Sequence, residues 1–245
     1  MKDNTQLSDK EFRRYVRNVC GFRITEHQSA LWRMVWIPAI ETRQAEKTEK
    51  TEKTENNGRL VFLGEQLMQH ALSAFLYKKF PCSEAGFLTE ALERISHHVF
   101  LSRLAQRLQI DYHAAHEQED VLFLRDHINS DILKALVAAI YLCKGYDPAE
   151  KFILKQLAGQ QENIREICMG TTNHKGKLIA WGQRNKSDIR FKLSKELKYN
   201  GKVLHVVSLF INNEWVANGC DTLIKNAEQH AAMTALESLN VNNDF

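Results

Sequence analysis

The sequence predicts an all-helical domain over residues 8–160, followed by an α+β domain of order α-β-β-β-α over residues 173–240. Two observations carry this. Between Lys10 and Leu157 the apolar residues recur at helical spacing. From Lys175 onward, one helix is followed by three alternating runs and an alanine-rich helix. Asn200-Gly201 and Asn212-Asn213 separate the alternating runs and are turn signals for hairpins.

In chain order, Lys10 to Val19 reads as an amphipathic helix with Phe12, Val16 and Val19 on one face, stopped by Gly21. A second helix is predicted from Thr25, a capping residue, to Trp36, with Leu31, Met34 and Val35 inward and Pro38 closing it. Residues 45–57 form a low-complexity loop; its Glu-Lys-Thr repeats have nothing apolar to bury. Arg59 to Lys79 is the next helix, with Leu60, Leu63, Leu67, Leu72, Phe75 and Leu76 on a broad apolar face and Pro81 after it. Glu84 to Thr89 turns into another helix, and Val99 to Leu108 follows.

His113 to Asp120 sets two histidines at i, i+3 beside carboxylates, which invites a metal. The stretch is polar on all sides, so a solvated surface segment is the better reading. Asp131 to Leu142 is apolar nearly all round, as a central buried helix must be. Ala149 to Leu157 is helical, a linker starts at Ala158, and Glu162 to Met169 adds a short helix. Then come a helix over Lys177 to Arg184, strands over Ile189–Leu197, Val203–Ile211 and Glu214–Ala217, and a final helix opening at Lys225.

Composition narrows the class. The chain has 245 residues, 44% hydrophobic and 26% charged, with a net charge of +3. That mild excess permits an anionic partner without demanding one. No run is long enough to span a membrane, and Met1 to Lys10 lacks the apolar core of a signal peptide. Five dispersed cysteines without a C-x-x-C pair predict reduced thiols and a cytoplasmic location.

The stretch Asn57-Gly58-Arg59-Leu60-Val61-Phe62-Leu63-Gly64-Glu65 resembles the ribonuclease III signature N-E-R-L-E-F-L-G-D. Asp131-Ile132-Leu133-Lys134-Ala135-Leu136-Val137-Ala138-Ala139-Ile140-Tyr141-Leu142 resembles the family's (D/N)-x-x-E-A-(L/F)-(I/V)-(G/A)-A-(I/V)-(F/Y)-L. Lys175-Gly176-Lys177-Leu178-Ile179-Ala180-Trp181 with Gln183, and Lys225-Asn226-Ala227-Glu228-Gln229-His230-Ala231-Ala232, are similar to a double-stranded RNA-binding domain. The fold implied is an all-α ribonuclease III-type domain followed by an α+β double-stranded RNA-binding domain.

The resemblance implies a homodimer acting on double-stranded or structured RNA with Mg²⁺, with Phe62 at the subunit interface. It implies RNA contacts from Lys175, Lys177, Gln183, Arg184 and Lys225. Ile224 and Ala180 depart from that pattern, and the family's G-P-x-H loop is not recognisable. Family members carry four metal-binding carboxylates, one pair at i, i+4 and one at i, i+3. Here those positions hold Val61 and Glu65, then Asp131 and Lys134.

Glu65 and Asp131 are therefore the remnant catalytic and metal positions. Valine offers no ligand atom, and the lysine ammonium repels a cation by several kcal/mol at about 4 Å. The expectation is a Lys134 salt bridge to Asp131 or Glu65 and an impaired or lost endonuclease. The alternative is a working Mg²⁺-dependent endonuclease that processes ribosomal or other RNA precursors. An unaligned carboxylate (Glu117, Glu119 or Asp120) is the route by which its metal site would be rebuilt.

Overall fold

The computed structural model describes residues 7–21, 23–38, 56–110, 112, 119–158, 164, 167–168 and 173–239. Helix α1 (Asp9–Cys20) opens with a capping box between Ser8 and Glu11. It stops at Gly21, whose φ of +81° is the left-handed turn that glycine adopts without a Cβ clash; its N–H donates to the Arg17 carbonyl. Phe12 and Val16 are buried.

The single helix expected from Thr25 to Trp36 is shorter and broken. A 3-10 turn spans Glu26–Gln28, and α2 covers only Ser29–Met34. The cause is local. Thr25 and Gln28 form their own capping box, and Val35 and Trp36 close with tighter i→i+3 hydrogen bonds. Trp32, Val35 and Trp36 take the inner positions, while Leu31 and Met34 are half-buried. Trp36 is held edge-on by Phe12 and Tyr15.

Helix α3 spans Gly58–Lys79, and Pro81 follows its end. Its buried face is Leu60, Val61, Gly64, Met68, Ala71, Leu72 and Leu76. Leu63, Leu67 and Phe75, expected inward, are half-buried, so the face is turned slightly from the predicted one. Next come α4 (Ala85–Ser96), α5 (His98–Arg107), α6 (Glu119–Lys144) and α7 (Tyr146–Ala158). Ile128, Ile132, Ala135, Leu136, Val137, Ala138, Ala139 and Ile140 have no exposed surface, which makes α6 the central element. The low-complexity loop, most of His113–Asp120 and most of the 158–169 linker and short helix lie outside the described residues.

These helices form one unit, except that the opening of α6, residues 119–124, groups with a second. The second unit contains α8 (His174–Arg184), β1 (Ile189–Tyr199), β2 (Lys202–Ile211), β3 (Glu214–Asp221) and α9 (Ile224–Ser238). The sheet is antiparallel in the order β1-β2-β3. Both hairpin turns have two central residues with positive φ: Asn200 and Gly201, then Asn212 and Asn213. That is the turn geometry matching the right-handed strand twist. β3 runs four residues beyond the predicted Ala217, because Gly219, Cys220 and Asp221 still pair with Val207, Val206 and His205. Leu178, Leu209, Ile211 and Ala217 meet Ala231, Ala232, Ala235 and Leu236 in the core. The alanines on α9 let it lie close on the sheet.

Candidate functional site

The first candidate site lies where α3 meets α6. The helices touch backbone to backbone: a Cβ on Gly64 would sit 1.8 Å from the Lys134 carbonyl oxygen. No side chain fits there, so glycine is required by space. The contact puts Glu65, the next residue of α3, beside the Lys134 side chain of α6.

The start of α3 is pinned as well. Asn57 is fully buried; its Nδ2 donates to the Val35 carbonyl at 3.0 Å, and its N–H donates to Ile37 O at 2.8 Å. This ties the signature helix to the turn after α2. The signature's asparagine is thus a structural brace, a role that the sequence reading did not assign.

Lys134 Nζ lies 3.5 Å from Glu65 Oε1 and 3.7 Å from Asp131 Oδ1. The ammonium therefore sits between the two remnant acids, the pairing predicted from sequence. Both separations exceed the usual N–H···O range of about 2.7–3.2 Å, so the contact is electrostatic more than a tight hydrogen bond. The side chains of Lys134 and Asp131 are 14% and 11% exposed, and that of Glu65 is 41% exposed. Val61, one turn before Glu65, is buried and apolar.

A magnesium ion needs several hard oxygen ligands at about 2.0–2.1 Å. Two carboxylates with an ammonium against both do not fit such an ion. Among the described residues, Glu65 and Asp131 belong to no group of three or more potential metal-ligand atoms. Asp120 is ion-paired with Lys195. It also precedes Asp131 by three turns of α6, about 16 Å along the axis. Glu117 lies outside the described residues, as does the Glu119 side chain.

The second candidate site is on the α+β unit. Of the five residues predicted to contact RNA, Lys175 is engaged within the unit. Lys175 pairs with Glu228 at 2.6 Å, and its ammonium lies over the Phe191 ring. It joins α8 to α9 and supports the unit from within. Lys177 is half-exposed, while Gln183 and Arg184 are exposed on the last turn of α8. Lys225 is exposed in the first turn of α9.

The sequence reading missed Asp221, which shapes that first turn. It is buried, and its Oδ1 accepts from Leu223 N–H at 3.0 Å and from Thr222 Oγ1 at 3.2 Å. Asn226 Nδ2 approaches it at 3.4 Å. An aspartate just before an amphipathic run is a readable turn signal, although the N-cap position itself is Leu223. β1 and β2 join through the two-residue turn Asn200-Gly201, flanked by exposed Lys198 and Lys202.

The comparisons with known proteins agree with this architecture. A family model described as "Ribonuclease-III-like" matches residues 47–161. The Ribonuclease 3 of Azobacteroides pseudotrichonymphae is 26% identical over 96% of this chain and 94% of its own length. That of Clostridium acetobutylicum is 30% identical over 75% of this chain and 81% of its own length. Among solved structures, the nuclease domain of ribonuclease III from Campylobacter jejuni aligns at TM-score 0.48 and 18% identity, over 63% of this chain and 97% of that one. With the signature helix, the buried central helix and the α-β-β-β-α unit in this order, the chain belongs to the ribonuclease III family.

Proposed function

We propose that this protein binds double-stranded or structured RNA as a homodimer and has lost the two-metal endonuclease centre of its family. One observation carries the reading: the Lys134 ammonium lies between Glu65 and Asp131, with buried Val61 on the same face of α3. Magnesium would supply a polarised water and charge neutralisation in an active relative. In this chain the neutralising charge comes from Lys134.

For RNA, the first turn of α9 offers the positive end of the helix dipole and exposed Lys225, both favourable to phosphate. Lys198 and Lys202 at the hairpin, with Lys177, Gln183 and Arg184 on α8, add contacts to backbone and groove. Recognition of this kind reads duplex shape more than sequence. Phe62, 70% exposed on α3, supports the dimer. Ribosomal RNA precursors in the cytoplasm are the natural target class, with the protein acting as a scaffold.

The second reading is an active endonuclease with a rebuilt site, favoured by the accessible Glu65 carboxylate. Incubating the purified protein with long double-stranded RNA, first with Mg²⁺ and then with Mn²⁺, separates the two. We expect a retarded RNA band and no cleavage. Cleavage that disappears in a Glu65→Ala, Asp131→Ala variant would establish the active reading instead.

A further inference from the structure

Helix α1 carries a feature that neither candidate site uses. Lys10, Arg13, Arg14 and Arg17 recur at i, i+3, i+4 and i+7, so they share one helical face. Phe12 and Val16 hold the opposite face in the core. After the Gly21 turn, Arg23 comes back beside them. Together with Glu11 and Ile24 these five cations line an open groove of about 660 Å³.

The charge balance there is lopsided. Glu11 is the one acid of the lining, and its carboxylate is engaged at the start of the helix, accepting from Ser8 N–H and Ser8 Oγ. Among the described residues, the side chains of Lys10, Arg13, Arg14, Arg17 and Arg23 have no ion pair or hydrogen bond. Two other arginines of the same unit are compensated: Arg33 holds Asp9 at 2.7 Å, and Arg94 holds Glu90 at 2.8 Å.

Stability does not account for the pattern. Like charges three and four residues apart destabilise an isolated helix, and Lys10 lies at the helix end where the dipole opposes a cation. An anion in the groove relieves both effects.

Resting on the RNA-binding reading above, we propose that this face of α1 is a second seat for RNA, gripping the sugar-phosphate backbone of one strand. Four of the five cations are arginines, whose planar forks match phosphate oxygens bidentately. The row from Lys10 to Arg17 extends about 10 Å along the helix, enough to follow successive phosphates. Among the described residues no aromatic side chain lines the groove, and its cations suit phosphate better than stacked bases. Contacts of this kind fix position and carry no sequence information.

The test is the salt dependence of binding to a perfectly paired RNA duplex, measured with the full chain. The variants are Arg13→Ala, Arg14→Ala, Arg17→Ala combined and the matching triple Arg→Lys. Each lost phosphate contact lowers the slope of log K against log salt by about 0.7–0.9. The alanine triple should therefore flatten the slope by roughly 2–3 and weaken low-salt binding at least tenfold, while the lysine triple keeps the slope.

Wild-type slope and affinity in the alanine triple would overturn the groove proposal and leave the RNA-binding reading standing. No retardation of RNA by the wild type at any salt would overturn both. If poly-glutamate bound with the same arginine dependence and RNA did not, the groove would be a seat for an acidic protein, and the proposal would fall. Should the alanine triple not fold, chemical cross-linking of wild-type protein to the duplex decides. Cross-linked peptides covering residues 10–24 support the seat, and their absence beside cross-linked α9 peptides overturns it.

Discussion

Lys134 replaces a carboxylate with a cation and leaves the surrounding helices in place. Its stem is packed between α3 and α6, and its charge faces two acids. In Lys134→Met, Asp131 loses its ammonium in a nearly buried setting. Breaking a fully buried pair costs about 3–5 kcal/mol. Here Glu65 is accessible to water and both contacts are long, so we expect about 1–3 kcal/mol. Urea unfolding of the two proteins measures this directly; equal or greater stability in the variant would show that the ammonium holds nothing in place. The lysine, the valine and the two remaining acids were all legible in the sequence, because a family motif fixes which positions face the site. The roles of Asn57 and Gly64 were not. A buried asparagine that reaches back over a long insertion, and a glycine required by a helix crossing, depend on tertiary neighbours that no local pattern encodes.

At the scale of elements, the longest helices could be read in part. α3 ends where it was predicted to, while α6 ends near the motif's Leu142 but starts at Glu119, twelve residues before the Asp131 that opens the motif. The second helix was less legible, because Thr25-Glu26-His27-Gln28 caps a 3-10 turn as readily as an α-helix. Alternation also understated β3, where Gly219 and Cys220 continue the ladder without looking like strand residues. The cation row on α1 could have been seen, but reading only for apolar spacing passes over the other side of a helix. One element carries a test of its own. Asp221→Ala removes the buried acceptor of the Leu223 N–H and of the Thr222 and Asn226 side chains and should cost about 1–3 kcal/mol. Faster amide hydrogen exchange at residues 223–227, with the rest of α9 unchanged, is the expected signature; uniform exchange along the helix would show that these bonds contribute nothing local.

For the whole molecule, the question is how copies of the chain associate. Phe62 has 70% of its surface open on α3, and Tyr77, farther along the same helix, has 73%. Exposed aromatics are common on monomers, so the weight of Phe62 comes from its place in the family signature. Phe62→Glu should convert a dimer to a monomer without unfolding it, as seen by light scattering during size-exclusion chromatography. A wild-type monomer at every concentration would remove the dimer from the reading. No disulfide joins the five cysteines in this structure, and burial pushes the Cys20 thiol up to about 12, which keeps it unreactive at neutral pH.

The ammonium between the two acids has one more consequence. A metal ion is borrowed from solution: it exchanges, competes with other ions and can be stripped by a chelator. The Lys134 charge is covalently tethered, present from the moment the chain is made and at the same local concentration in every copy. On the proposed reading the junction of α3 and α6 needs no loading step, and its stability should be unchanged by added divalent cations or by a chelator.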